Sequence, residues 1–317
     1  ALEYSKTLPA LKEEEQEYAF YVQSDLLLEE DSSLFVNWID RNRNRYGFRA
    51  YDRGNESFTN ISRNQLTKMV LNQVGLRTPR GYANKEFIEN LAGNFIVVNN
   101  EDNTVSGGLP NYWGYNGDSV IDIHPVELEE LTDNGITYDV KGWFNTPITD
   151  MYSRITTYPH FFNLIEDAGL FDDVYYTFPF LTEGELYTIF VPSEEAIAEL
   201  DTEALSQEEL QQIVKYHFIR GARIWTDGSC PEGYYETLRV DESSTEFTTK
   251  YSSLYIETSP DLIRILDKDG AVYTEIPEQE GTSNVMIATD LDDNSTSRYD
   301  YIITSVIHEI DKVLIKP

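Results

Sequence analysis

The sequence predicts two copies of one module that combines strands with helices. Three observations support this prediction: the length of the chain, an internal repeat and an uneven distribution of charge. The chain has 317 residues, which suits two domains of roughly 150 residues, each able to bury its own core. Apolar residues make up 40% and aromatic residues 13%, so the chain is too apolar to remain disordered.

The first repeated block is a strand followed by a turn and a helix. In YTIFVPSEEAIAEL (187–200), branched residues lead into a Pro-Ser turn, and Ser193 is predicted to be the N-cap of an acidic helix. YAFYVQSDLLLEE (18–30) has the same shape at an offset of 169, so that Ser24 matches Ser193.

Two further blocks recur in the same order. LQQIVKYHFIRG (210–221) predicts a helix running into a strand, and LTKMVLNQVGL (66–76) is its weaker counterpart. The closing strand in 299–317 matches 134–147 at an offset of 170. The repeat therefore predicts two copies, each about 150–170 residues long.

The charge distribution places the boundary between the modules. Residues 1–148 carry 13 basic and 23 acidic residues, a net of −10, whereas residues 149–317 carry 11 and 33, a net of −22. NTPITDMYS (145–153) has the composition of a linker. We therefore expect one domain at 1–148 and a second at 149–317.

The overall charge excludes two classes of partner. The formal net charge is −32, and such a surface repels the phosphates that supply most of the affinity for nucleic acid. It disfavours direct binding to anionic membranes for the same reason. No apolar run approaches about 18 residues, so a membrane-spanning helix is not expected.

The ordered set of blocks resembles the fasciclin-like domain family. Three motifs of the second half carry the resemblance: TIFVPSEEAI (188–197), the Tyr216–His217 step, and VIHEIDKVLIKP (306–317). The resemblance implies an α+β fold of two fasciclin-like modules, each a wedge of β-strands flanked by helices. It also implies adhesion or extracellular binding without catalysis.

The first half resembles the family less closely. Asn72–Gln73 stands where the second half has Tyr216–His217, so the family's best-known motif is lost there. The interval from Tyr18 to Leu66 is 48 residues, against 23 between the matching positions of the second half. This difference predicts an insertion of about 25 residues in a divergent first module.

Tyr216 and His217 are the first candidate binding residues. In animal members of the family this region is implicated in receptor binding, and the resemblance carries that role to the pair. The alternative is favoured by the surroundings, because the pair lies in an aliphatic stretch between Ile213 and Ile219. A histidine there is expected to be a core residue hydrogen-bonded to the backbone.

The loop NYWGYNGDS (111–119) is a second candidate. Tyr112, Trp113 and Tyr115 could pack on sugar rings while Asn116 bonds hydroxyl groups. The favoured alternative is a turn whose aromatic residues fold back onto the core.

RNRNRYGFRAYDR (41–53) is the third candidate and lies within the predicted insertion. Arg43 and Arg45 belong to a run of five arginines whose forked guanidinium groups suit carboxylate, sulfate or phosphate. The favoured alternative is an intramolecular dock against the acidic second module.

No catalytic, metal or cofactor motif is evident. His308–Glu309 begins like HExxH, but Lys312 occupies the position of the second histidine. The single cysteine, Cys230, excludes cysteine-based zinc sites and intramolecular disulfides. DLDDNSTSRYD (290–300) has oxygen donors but departs from the EF-hand pattern, so a solvated hairpin loop is favoured. We therefore expect no enzyme, no metal site and no cofactor.

Three functions remain open. The leading hypothesis is a cell-surface or extracellular protein that adheres to another protein, a matrix or a neighbouring cell. The alternatives are a glycan-binding accessory lipoprotein for polysaccharide uptake and, less favoured, a hydrolase with unassigned carboxylates. The absence of disulfides suits an exported bacterial protein, at the surface or in the periplasm, with a lipid anchor upstream of Ala1 as one option. The sequence predicts neither the ligand nor the oligomeric state.

Overall fold

The computed structural model describes residues 17–23, 34–40, 45–52, 57–107, 121–125, 135–140, 144, 150–245, 247–287 and 304–315. The chain divides into two compact units, Ala1–Thr146 (unit 1) and Pro147–Pro317 (unit 2), and each is described by itself. Both units contain helices and strands, which confirms the α+β prediction. The predicted boundary lies close to this division, and the assignment of each unit as a separate domain stays a prediction.

Unit 1 is built around a curled sheet. Its described strands are β1 (Tyr18–Gln23), β2 (Leu34–Asp40), β3 (Arg45–Asp52), β4 (Ser57–Ile61), β5 (Val74–Gly75), β6 (Lys85–Glu89), β7 (Phe95–Asn99), β8 (Thr104–Ser106), β9 (Ile121–Pro125) and β10 (Gly135–Val140). Seven of them form one sheet in the order β5-β1-β10-β9-β8-β7-β6. β1 pairs in parallel with β10 and antiparallel with β5. A bridge between Gly75 and Asn90 joins the two ends of this sheet.

The predicted insertion carries a second, three-stranded sheet in the order β2-β3-β4. Arg45 begins β3 in register with Asp40 of β2. The Arg49 guanidinium lies 4.1 Å from the centroid of the Phe58 ring in β4, a distance typical of a cation–π contact. Helix α1 (Arg63–Asn72) follows and leads directly into β5, so the predicted helix-to-strand block at 66–76 is confirmed.

Unit 2 begins with helices and continues as a larger sheet. Its described helices are α2 (Met151–Ile155), α3 (Pro159–Asp167), α4 (Glu194–Ala198) and α5 (Gln207–Tyr216). Its described strands are β11 (Leu186–Pro192), β12 (Phe218–Arg220), β13 (Gly233–Val240), β14 (Tyr251–Ser259), β15 (Leu262–Leu266), β16 (Val272–Pro277), β17 (Val285–Ile287) and β18 (Thr304–Ile310). The sheet order is β16-β15-β14-β13-β12-β11-β18-β17.

The centre of unit 2 is the parallel pair β11 and β18, in register from Leu186 opposite Thr304 to Pro192 opposite Ile310. On its other edge β11 pairs antiparallel with β12. This sheet also curls, because β16 reaches the segment after β18, where the Tyr273 hydroxyl donates to the Val313 carbonyl at 2.8 Å.

β11 is buried on both faces, and each face belongs to a different apolar cluster. Tyr187, Ile189 and Val191 pack with the helices, since their cluster also contains Ile155, Phe161, Ile165 and Val214. Phe190 points the opposite way, into a cluster with Ile256 and Ile265 of the curled sheet. Side chains of this size contribute about 1.5–3 kcal/mol each when fully buried, so β11 links the two parts of the unit 2 core.

Candidate functional site

Helix α5 positions the predicted Tyr216–His217 pair. Ser206 caps the helix by accepting the amide of Glu209, and the Glu209 side chain accepts the amide of Ser206 in return. Such reciprocal caps satisfy two amide donors at the start of a helix. Leu210, Ile213 and Val214 form the buried face, and the helix ends at His217 as its C-cap.

Both ring nitrogens of His217 are hydrogen-bonded to the backbone, and the side chain is fully buried. Nε2 accepts the amide of Leu314 at 2.9 Å. Nε2 must therefore carry the lone pair, and Nδ1 carries the proton that it donates to the Ile213 carbonyl at 2.9 Å. The ring is neutral and ties the end of α5 to the segment that follows β18.

His308, on β18, is also fully buried but has the opposite tautomer. Its Nδ1 accepts the amide of Asn284 at 3.3 Å, and Nε2 donates to the Ile224 carbonyl at 2.9 Å. Burial lowers the pKa of His217 and of His308 to about 4, although in each case the bond to a carbonyl opposes the shift. Both histidines are therefore structural groups at neutral pH.

Tyr216 is also part of the core, with 6% of its surface exposed. The Arg239 guanidinium lies 5.4 Å from its ring centroid and covers one side of it. The core interpretation favoured for this pair is confirmed by its burial. A binding role for Tyr216 and His217 stays a prediction.

Gln73 of unit 1 is the residue that the predicted repeat matches to His217 of unit 2. Helix α1 has the same kind of cap, formed by Ser62 and Gln65, and ends at Gln73. The Gln73 Oε1 accepts the amide of Phe144 at 2.7 Å, and its Nε2 donates to the Tyr21 carbonyl at 3.0 Å. An amide side chain thus accepts a backbone N–H from the segment after β10, as the imidazole does after β18.

Glu86 of unit 1 is a buried carboxylate with several hydrogen-bond donors, and no sequence motif indicated it. It is 2% exposed and accepts bonds from Arg77 Nη1 (2.8 Å), Asn100 Nδ2 (3.0 Å) and the amides of Arg80 (2.9 Å) and Gly81 (2.5 Å). Burial by itself raises the pKa of Glu86, but the Arg77 bond and the other donors outweigh it and hold the pKa below the usual value. A glutamate in a short strand carries no sequence signal for such a role.

Several predicted residues lie outside the described part of the chain. This applies to Tyr112, Trp113, Tyr115 and Asn116 of the proposed sugar-binding loop, to Arg43, and to the acidic loop 290–300. Arg45 is described as the first residue of β3. Binding by these residues therefore stays a prediction.

Two kinds of reactive site were sought among the described residues: a metal-binding cluster and an activated thiol. Within the described ranges, no group of three or more histidine, cysteine or carboxylate side chains could hold a metal ion. Burial raises the pKa of the Cys230 thiol, which reduces its thiolate fraction and hence its nucleophilicity. Most of the polar groups described above are used in holding helix ends and strands.

Comparison with known proteins identifies the module in unit 2. The curled sheet with a parallel central pair, flanked by capped helices, defines an α+β module. Residues 156–276 match the model of the Fasciclin domain, so unit 2 contains one fasciclin domain. Fasciclin domains are generally associated with adhesion, are typically non-enzymatic and occur in extracellular or surface proteins.

A search of the curated proteins found no match to the chain. In the described part of the chain, no helix has the length and apolar character needed to cross a membrane.

Proposed function

We propose that this chain is a non-catalytic extracellular adhesion protein that binds another protein through its fasciclin domain. The observation that carries the proposal is the fasciclin match over residues 156–276, since the domain is generally associated with adhesion. The full burial and backbone bonding of His217 and His308 supports it, because neither ring is available for acid–base chemistry at neutral pH.

The proposal includes a second, divergent fasciclin-like module in unit 1. The shared connectivity supports it: β1 and β11 each pair in parallel with the last described strand of their unit and antiparallel with the strand after a capped helix. The register supports it as well. Tyr21 pairs with Tyr138 as Phe190 pairs with His308, which reproduces the sequence offsets of 169 and 170.

We also propose that the protein is exported and acts at a bacterial cell surface, with a lipid anchor as one means of attachment. The occurrence of fasciclin domains in extracellular and surface proteins supports export. Protease treatment of intact cells tests this part of the proposal. The protease is expected to degrade the chain while a cytoplasmic marker stays intact. A chain that is fully protected from a protease with access to the cell surface would contradict this part of the proposal.

Binding measurements with the whole chain test the adhesion function. The immobilised chain is exposed to a panel of purified extracellular proteins and to a glycan array, and polysaccharides are assayed for turnover. Saturable binding to at least one protein, without turnover, is the expected result. Binding only to glycans would instead support the uptake function, and turnover lost on replacing one carboxylate would support a hydrolase.

A further inference from the structure

The outer face of the unit 2 sheet carries an apolar row that crosses four strands. Tyr234 of β13 pairs with Tyr255 of β14, and Tyr255 pairs with Leu266 of β15. Leu266 in turn pairs with Val272 of β16, next to a shift of the register between Ile265 and Leu266. Residues directly opposite one another project from the same face of a sheet. With strands about 4.8 Å apart, the row extends over about 14 Å.

This row faces away from the core. Tyr234 is 79% exposed and Val272 49% exposed. The neighbours of the two central residues in their strands, such as Ile256 and Ile265, are buried on the opposite face. The outward face of an antiparallel sheet is normally polar, and contiguous apolar residues there mark an interaction surface.

Charged residues flank the row. Three carboxylates occupy neighbouring positions on this face, those of Glu236, Glu257 and Glu275. Two described cations lie beside them: Arg264 is paired with Glu275 at 2.7 Å, and Arg220 lies over the Tyr251 ring of β14. The rim is therefore acidic overall, and unit 2 as a whole carries 33 acidic against 11 basic residues. Such a rim favours a partner of opposite charge.

We propose that this row, within the protein-binding function proposed above, docks a protein segment that presents an apolar ridge flanked by lysine or arginine. A second copy of the chain would bring two acidic rims together, which is repulsive. A flat sugar platform would need coplanar rings, whereas the Tyr234 and Tyr255 rings meet edge to face at 81°. Exposed tyrosines of this kind are frequent anchors of protein interfaces.

Designed peptides test the surface directly. The probes are three 15-residue strand peptides that share the same Leu/Trp core and are flanked by lysine, serine or glutamate. Each peptide is titrated against the full chain. The lysine-flanked peptide is expected to bind most tightly. Tyr234→Ser and Val272→Ser are each expected to weaken the binding of this peptide at least tenfold. Phe247→Ser is the matched control, because Phe247 is 94% exposed but lies outside the row, and it should leave binding unchanged.

Several results would overturn the proposal: equal affinity for the glutamate-flanked peptide, unchanged binding by Tyr234→Ser, or Tyr234-dependent binding of glycans or of a second copy. Thermal unfolding of each variant confirms that the fold is retained. Failure here is distinguishable from failure of the adhesion function. If Tyr234→Ser still binds a panel protein as wild type does, the function stands and the surface is wrong. If no panel protein binds while the lysine-flanked peptide discriminates between variants, the surface stands and the function is wrong.

Discussion

The backbone amide of Leu314 donates to Nε2 of His217 across 2.9 Å, joining residues 97 positions apart. The bond requires a lone pair on Nε2, because Nδ1 already donates its proton to Ile213. Protonation of the ring removes that lone pair and places a charge in the core of unit 2. The same holds for Nδ1 of His308, which accepts the Asn284 amide.

Unit 2 is expected to lose stability as the pH falls from about 6.5 to about 4. The folded pKa of His217 and His308 is about 4, below the ordinary 6.5. The unfolded chain therefore binds protons first, and stability present above pH 6.5 is lost on acidification. The loss is about 2 kcal/mol per histidine at pH 5 and about 3 kcal/mol at pH 4. Urea denaturation followed by Trp225 fluorescence, with the tryptophans of unit 1 replaced by phenylalanine, measures it.

His217→Gln separates this effect from the general response of an acidic protein. Gln73 accepts the matching amide in unit 1, so glutamine is expected to keep the bond to Leu314 at a cost of about 1 kcal/mol at pH 7. When the pH falls from 7 to 5, the free energy of unfolding of wild type should decrease by about 2 kcal/mol more than that of the variant. A difference that stays constant over this range would show that His217 does not titrate as its burial implies.

Glu86→Gln is expected to destabilise unit 1 by about 3 kcal/mol, because it removes the buried carboxylate of the ion pair with Arg77. Hydrogen exchange of the β6 and β7 amides, as a function of urea, measures the loss. Glu101→Gln is the matched control at an exposed position, with an expected change within about 0.5 kcal/mol. Equal effects of the two substitutions would exclude the buried pair as a source of stability.

Ser206→Ala should lower the stability of unit 2 by about 1 kcal/mol, because the N-cap of α5 loses its hydroxyl acceptor. Ser206→Thr keeps that acceptor and should lose less than half as much. The same Trp225 assay applies. An alanine variant as stable as wild type would mean that packing alone, without the cap, fixes the start of the helix.

Gly135→Ala is expected to disrupt the pairing of β1 with β10. A Cβ at position 135 would lie 2.3 Å from the Tyr18 carbonyl oxygen, which belongs to the backbone and has little freedom to move. We expect the free energy of unfolding of unit 1 to fall by about 3 kcal/mol. Gly270→Ala is a contrasting case, with open space but a φ of +79°, and should cost only about 1 kcal/mol. Hydrogen exchange of β1 and thermal unfolding measure the two effects.

The local features of the fold could be predicted from the sequence. Ser193 caps α4 by accepting the amide of Ala196, as its position in the Pro-Ser turn before an acidic helix start indicated. The helix-to-strand block around His217 was predictable because caps and apolar periodicity act within a few residues. Burial of His217 was predictable from its aliphatic neighbours.

The long-range features could not be predicted in this way. The apolar row through Tyr234 and Val272 depends on which strands pair and in which register, and a shift of one residue would turn these side chains to the other face. The role of Gln73 as acceptor of the Phe144 amide could not be predicted, because an amide side chain takes the place of an imidazole. The burial of Glu86 depends on Arg77 and Asn100, which lie on other parts of the chain.

The parallel pair β11 and β18 has a mechanical consequence. A force that pulls the start of β11 away from the end of β18 acts along both strands in opposite directions. The backbone bonds from Leu186–Thr304 to Pro192–Ile310 then carry the load together, whereas in a hairpin opened from its ends they would break one after another. A protein that holds two surfaces together would resist tension best with its first and last strands arranged in this shear geometry.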